Sequence, residues 1–450
     1  MKVLHYFLGW PPFRSGGLTQ YAVDLMHEQY RQKDKVYALF PAYGVLRNFK
    51  AISSLGHKFN SEVITFSLNK SEPLPLQGSI RTPRDFMKSG NLKEYVKFLK
   101  NLHPEIVHFH TLMGLPREFL MACNQLGIKT FFTSHDYFGI SPNPKFVYRA
   151  QDFSEKNSSK MWENCSTTSF SVFKLRLYQA PVYPLIRHFL SPFKKVLSGG
   201  VKTTRLSENS GHGKIAIDDI RSFHMLRDYY LNMFSMIDHF IFNSDVAKNV
   251  YLRNLGYSPK YDIVPVTTLD VDFRKHRFEL SLYKSDKPFR IGYIGPYTEE
   301  KGFQILVNAV HDIPSQNIEL HIWGDDVHVE KNSPNVTNHG RFKHKEISKV
   351  FKTFDLLIIP SVWKETFGLV ALESISNNTP VVVSSRAGSS MLVDKVFKFD
   401  PTQKGIYRWL SDYLSHNIPK KQTIEIPESL SSMRSQALKI QEIYIKELKA

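Results

Sequence analysis

Short apolar runs alternate with amphipathic segments along the chain, in two successive series. Lys2 to Leu8 is an apolar run stopped by Gly9-Trp10-Pro11-Pro12, the pattern of a buried strand leaving its sheet. After Gly16-Gly17, the residues Leu18, Tyr21, Ala22, Leu25 and Met26 recur at helical spacing. Val36 to Phe40 and Val63 to Phe66 read as further strands, Leu92 to Leu102 as a helix and Ile106 to His110 as a strand. Glu118 to Leu126 reads as a helix ended by Gly127, and Lys129 to Thr133 as a strand closing at Ser134-His135-Asp136. Strands alternating with helices predict a mostly parallel sheet covered on both faces.

From about Phe138 to Arg227 the pattern is lost among prolines, Gly199-Gly200 and a polar stretch near Asn157, too long for an ordinary connection. It returns with His239 to Phe242 (strand), Val246 to Leu255 (helix) and Ile263 to Val266 (strand). Asp270 to Pro288 is charged and irregular and reads as a linker. The second series runs through strands at Arg290 to Ile294, Glu319 to Trp323, Asp355 to Ile359 and Val381 to Val383. Helices are expected between them at Phe303 to Val310, Lys345 to Phe351 and Leu369 to Ser376, and a last one over Ser429 to Leu448. The expected organisation is two α/β Rossmann-like domains, 1–270 and 271–428, followed by a C-terminal helix at 429–450. Ligands of open α/β sheets bind beyond the C-terminal strand ends, so two such domains facing each other would make a cleft.

The length of 450 residues agrees with two domains of about 200 residues each. Lys and Arg number 59 against 42 Asp and Glu, and the net charge of +17 points to an anionic partner. Nucleic acid is a poor fit, because the basic residues lack an aromatic-interleaved motif. Cys123 and Cys165 are too few for a disulfide scaffold or a Cys-rich zinc module. No segment approaches the ~18 consecutive apolar residues of a membrane span. The apolar N-terminus is cut by Gly9, Pro11 and Pro12, so no secretory signal is expected. The expected location is cytoplasmic, with peripheral attachment to the inner face of an anionic membrane. From Lys174 to Arg227, 10 basic residues face 3 acids among interleaved apolar side chains, a mixture suited to an acidic lipid surface.

Four loops would line the cleft. Gly16-Gly17 brings backbone N–H groups close to a phosphate or sugar, or is plain turn chemistry. In Gly295 to Gly302, Lys301 stands near a helix start, where a cation wants an anion beside it or is merely solvated. Glu365 and Glu373 flank Phe367-Gly368-Leu369, whose N–H groups could take a phosphate. The two carboxylates could accept hydrogen bonds from sugar hydroxyls or simply complement the helix dipole. His135, followed by Asp136, could shuttle a proton, bind a hydroxyl or be structural, and His108 and His110 alternate on the strand before it. Asp270 and Asp272 could hold Mg²⁺ or be solvated linker charges, and no HExxH, Cys pair or Walker loop is present.

Together these loops resemble the retaining glycosyltransferase family 4, of GT-B fold. The resemblance runs through Gly16-Gly17 with Tyr21, Glu105 to His110, Thr133 to Tyr137, Asn243-Ser244, Gly295 to Gly302, Trp323-Gly324 and Gly340-Arg341-Phe342. Its most specific part is Pro360-Ser361 through Glu365-Thr366-Phe367-Gly368-Leu369-Val370-Ala371-Leu372-Glu373 to Pro380-Val381-Val382. The resemblance implies a nucleotide-sugar donor, a glycan or lipid-linked acceptor, retention of configuration and no metal or other cofactor. Lys301 and the Phe367-Gly368-Leu369 amides would hold the donor diphosphate, with Gly295 and Gly324 in the same donor site. Glu365 would bind sugar hydroxyls, Glu373 the ribose, and Phe342 would lie near the base. His135 would sit at the reaction centre with Gly16 and Gly17 near the phosphates, and Asp270 would mark a turn rather than a metal ligand. Pro296 stands where the family often has an arginine, and Met391 where a glutamate often follows Ala387-Gly388. The implied role is sugar transfer in building a surface polysaccharide or lipopolysaccharide. The rivals are a nucleotide-sugar 2-epimerase and a binding protein whose catalysis was lost with the arginine.

Overall fold

The computed structural model describes residues 1–42, 50–76, 78–180, 220–273, 275–282, 288–313, 318–326 and 335–450. The N-terminal half is built on an eight-stranded sheet in the order β10-β9-β6-β5-β1-β2-β4-β3. Its members are β1 (Lys2–Tyr6), β2 (Lys35–Pro41), β3 (Ile52–Gly56), β4 (Ile64–Leu68), β5 (Ile106–Phe109), β6 (Lys129–Thr133), β9 (His239–Phe242) and β10 (Tyr261–Ile263). Every pairing is parallel except that of the edge strand β3 with β4. The central strands are buried along their whole length, which is why they read as continuous apolar runs. The intervening helices α1 (Gly17–Arg31), α2 (Leu92–Leu102) and α3 (Arg117–Gln125) each turn an apolar stripe inward.

The segment expected to be irregular, 138–227, carries more structure than its composition suggests. It holds a hairpin, β7 (Val147–Tyr148) with β8 (Gln151–Asp152), then α4 (Ser159–Ser166) and α5 (Val172–Gln179). The long helix α6 (Ile220–Ser235) begins inside it. Phe223, Leu226, Tyr230, Met233 and Phe234 of α6 are buried at helical spacing, a stripe that only becomes visible beyond Arg227. The basic residues from 181 to 219 lie outside the described residues. Helix α7 (Asp245–Leu255) follows, capped by the Ser244 hydroxyl on the Ala247 N–H and closed by Gly256.

The second half holds a six-stranded, wholly parallel sheet, β14-β13-β12-β15-β16-β17. Its strands are β12 (Phe289–Ile294), β13 (Ile318–Trp323), β14 (Val336–Gly340), β15 (Leu356–Ile359), β16 (Val381–Ser384) and β17 (Lys398–Phe399). The helices are α8 (Phe303–His311), α9 (Ile347–Phe351), α10 (Val370–Ser376) and α11 (Gln403–Leu414). The expected linker is not irregular throughout: β11 (Arg277–Ser281) pairs antiparallel with β18 (Lys421–Glu425). Arg277 and Glu279 face out while Leu280 packs inward with Ile424, so the charges masked a short alternation. The last helix, α12 (Met433–Lys449), returns to the N-terminal half and packs on α1, burying Ala437, Ile440, Ile443 and Tyr444.

Candidate functional site

Both sheets point their C-terminal strand ends at one cleft of about 520 Å³. Gly16, Gly17, His135, Gly295, Lys301, Glu365, Phe367, Gly368, Leu369 and Glu373 all line it. Gly324 and Phe342 do not. Gly324 backs the cleft wall: a Cβ on it would sit 2.7 Å from the Gly295 carbonyl oxygen, so its bare backbone sets where Gly295 lies. Phe342 packs edge-on against Trp323, ring centroids 5.9 Å apart.

Gly16 ends the loop after β1 with φ 113°, and a Cβ there would meet only open space. At Gly17 an added Cβ would touch Leu369 of the opposite domain at 3.4 Å, so the glycine loop and the start of α10 already meet across the cleft. Neither α1 nor α10 has a side-chain cap, which leaves first-turn N–H groups of both free for a ligand.

Lys301 is held by two constraints. Gly302 next to it takes φ 72°, and a Cβ there would fall 1.9 Å from the Pro360 carbonyl oxygen. The Lys301 ammonium donates to Glu365 Oε1 at 2.5 Å, and the Ser361 hydroxyl donates to Oε2 at 2.5 Å. Burial works to raise the Glu365 pKa; the ammonium and the hydroxyl outweigh it and hold the carboxyl below its ordinary value. Among the described residues Lys301 is the one lysine or arginine in the lining. A second ammonium lies close behind it: Lys145 pairs with Glu300 of the same loop and adds to the positive field at Glu365.

Glu373 lies at the other end of the cleft. His344 Nε2 lies 3.9 Å from Glu373 Oε1 and 3.0 Å from Asp270 Oδ2. Burial raises the Glu373 pKa, His344 opposes that and Asp270 reinforces it. Asp270 is therefore a cleft residue, with a histidine rather than Asp272 as its neighbour. His344, Asn243, Thr268 and Trp363 also line the cleft; their sequence context gives none of them a role, and only Asn243, which follows a strand, belongs to the resemblance. Pro296 faces the cleft and Met391 is 38% exposed, off the lining.

His135 sits between the domains, its backbone carbonyl accepting from Thr366 Oγ1 at 2.9 Å. Burial lowers its pKa to about 3, so the ring is neutral near pH 7. Asp136 turns away to accept from the Phe138 N–H at 2.9 Å, and burial lifts its pKa to about 7. The site thus combines the neutral His135 imidazole, one ammonium, free helix-start amides and the three carboxylates of Asp270, Glu365 and Glu373, a set matched to a polyhydroxyl group joined to phosphate.

Residues 288–403 match the family model described as glycosyl transferases group 1. A protein in the cps region of Klebsiella pneumoniae is 33% identical over 21% of this chain and 27% of its own length. The matched stretches cover 18–39% of the lengths of the curated relatives. In structure the chain is similar to the lipopolysaccharide outer core galactosyltransferase WaaB, with TM-score 0.57 and 12% identity over 99% of this chain and 100% of that one. It is also similar to Anabaena HepE in complex with UDP, with TM-score 0.52 and 15% identity over 100% of this chain and 98% of that one. These likenesses, with one mostly and one wholly parallel sheet facing one cleft, make the fold GT-B.

Proposed function

We propose that this protein is a glycosyltransferase that moves a sugar from a nucleotide-diphosphate donor to a glycan or lipid-linked acceptor, with retention. The observation that carries the reading is the Lys301–Glu365–Ser361 unit facing Gly16-Gly17 across the cleft. As the sugar–phosphate bond breaks, negative charge grows on the diphosphate, and a fixed ammonium with helix-start amides stabilises it. Glu365, kept ionised by Lys301, accepts hydrogen bonds from sugar hydroxyls, and Glu373 accepts those of the ribose; that both line the cleft supports this reading. The UDP bound by HepE and the cps and lipopolysaccharide settings of two similar proteins support a uridine donor and a surface glycan product. Attachment to an anionic membrane, which would bring the enzyme to a lipid-linked acceptor, belongs to the same proposal. Pro296 in the lining favours one second reading, a donor-binding protein with weakened catalysis.

The test is a screen of nucleotide sugars for those that raise the melting temperature, followed by product analysis with and without acceptor glycolipids. Stabilisation by a nucleotide sugar with transfer to acceptor is the expected result. Stabilisation with neither transfer nor donor hydrolysis would select the weakened binder, and conversion of the donor sugar without acceptor would mean epimerisation. No stabilisation by any nucleotide sugar would remove the proposal.

A further inference from the structure

Behind His135 runs a line of imidazoles that the reaction scheme does not use. His5 on β1, His108 on β5 and His110 just beyond its end cluster beside the sheet, His5 in register with His108, and all three are buried. His135 Nε2 lies 3.2 Å from His110 Nδ1, and His110 Nε2 lies 3.0 Å from His5 Nδ1. His5 Nε2 then lies 2.7 Å from Gln29 Oε1 on α1. His108 stacks on His110 at 4.4 Å but turns its own nitrogens to Tyr444 Oη at 2.5 Å and Thr133 Oγ1 at 2.7 Å.

We propose that Gln29, His5 and His110 are positioning residues that lock His135 in its Nε2–H tautomer and so present the Nδ1 lone pair to the cleft. A neutral imidazole has one N–H and one lone pair. An amide carbonyl only accepts, so His5 donates from Nε2 and must accept at Nδ1. His110 therefore donates from Nε2 and accepts at Nδ1, and His135 donates from Nε2. Its remaining nitrogen, Nδ1, is the one left for the cleft that His135 lines. The count requires neutral rings, and burial supplies them: it lowers His5 to about 4, His135 to about 3 and His110 well below its ordinary value. Gln29 Oε1 is the end of the amide that meets His5, and its buried Nε2 has no hydrogen-bond partner, so the carbonyl alone ties α1 to the line. The line ends in an amide, which passes no proton, so it sets a polarity and is not a proton wire. A lone pair at Nδ1 accepts from a hydroxyl and repels a phosphate oxygen. On the glycosyltransferase reading, the group facing His135 is therefore a sugar hydroxyl.

The same rings allow a competing reading. His5, His108 and His110 each bring one nitrogen within 4.8 Å of the others, a spacing that could hold a metal ion. Each of their ring nitrogens already has a hydrogen-bond partner, which favours the tautomer line.

The test uses the full chain labelled with ¹⁵N-histidine and two-bond ¹H–¹⁵N spectra, with His135 assigned by its loss in His135→Gln. The expected wild-type result is a single Nε2–H tautomer at His135. Gln29→Met, close in shape but without the acceptor, should convert it to a mixture of tautomers. A wild-type Nδ1–H tautomer, or a His135 pattern unmoved by Gln29→Met, would overturn the proposal. If Gln29→Met does not fold, the wild-type spectrum decides alone. Stoichiometric metal in the purified protein, removed by His5→Gln, would also overturn it. UDP titration is run separately: failure to bind UDP counts against a uridine donor and leaves the tautomer result standing.

Discussion

The Lys301 ammonium is engaged by Glu365, so on the proposed function an arriving diphosphate would share a charge that is already committed. Removing either partner leaves the other poorly compensated in a half-closed site. Lys301→Ala and Glu365→Gln should each lower turnover at least about tenfold, equal to ~1.4 kcal/mol of transition-state stabilisation. Wild-type transfer rates in both variants would refute the donor-site assignment. Asp136 gives a second handle at this scale. Its carboxyl keeps a proton to about pH 7 in the fold, against an ordinary value of 3.8. The native state therefore binds more protons than the unfolded chain across that window, and stability falls as pH rises through it. Asp136→Asn keeps the acceptor for the Phe138 N–H and removes the titration, so its melting temperature should decline less with pH than the wild type's. Parallel slopes would show that the carboxyl ionises as freely in the fold as outside it. Glu365, Glu373 and Lys301 were legible from their sequence context, because helix starts advertise themselves. His5 was not. It sits inside an apolar strand, and the ring it meets is 105 residues away in sequence.

At the scale of elements, the loop from Gly295 to Gly302 is held by a close backbone approach as well as by the Lys301–Glu365 and Lys145–Glu300 pairs. Gly302 combines φ 72° with a would-be Cβ 1.9 Å from the Pro360 carbonyl oxygen, where neither partner is a flexible tip. Left-handed backbone alone costs a residue with a Cβ roughly 1–2 kcal/mol, and the clash adds to it. Gly302→Ala should therefore lower the melting temperature by several degrees and weaken nucleotide binding by displacing Lys301, both measurable in one thermal-shift titration. An unchanged melting temperature would mean that the loop relaxes at no cost. The long buried strands and amphipathic helices were readable from periodicity, since both their faces or one clear stripe are apolar. The ribbon of β11 and β18 was not, because each strand buries few side chains and its exposed charges dominate the pattern. That α12 folds back onto α1 was equally invisible: its stripe of Ala437, Ile440 and Tyr444 shows a helix but not which domain it covers.

Across the whole molecule, charge has two tasks that must be separated. On the proposed function, Lys301 with the α1 and α10 starts would offset the donor diphosphate within the cleft, so transfer should survive excess EDTA; complete loss restored by Mg²⁺ or Mn²⁺ would show that a metal shares that task. Outside the cleft, most of the +17 net charge has no such assignment. The described ends of the basic stretch show what accompanies it. On α5, Phe173 is 80% exposed and Leu177 46%, four residues apart and so on one face, with Lys174 beside them. On α6, Ile220 is 48% and Met225 55% exposed, with Arg221 between. Large apolar groups left in water beside lysine and arginine fit a headgroup boundary, where apolar burial and attraction to anionic lipid add, the latter ~1 kcal/mol per basic residue. Among the described residues no helix is long and apolar enough to cross a membrane, so attachment of this kind would lie on the surface. Vesicle flotation should recover the protein with anionic lipid and not with neutral lipid, and less of it as salt screens the charges. Phe173→Asp with Leu177→Asp removes apolar insertion and adds repulsion while leaving the buried Leu175 in place, so recovery should fall at least several-fold with folding intact. Equal recovery with both lipids, or a double variant that floats like the wild type, would mean that these side chains meet some other partner or only water.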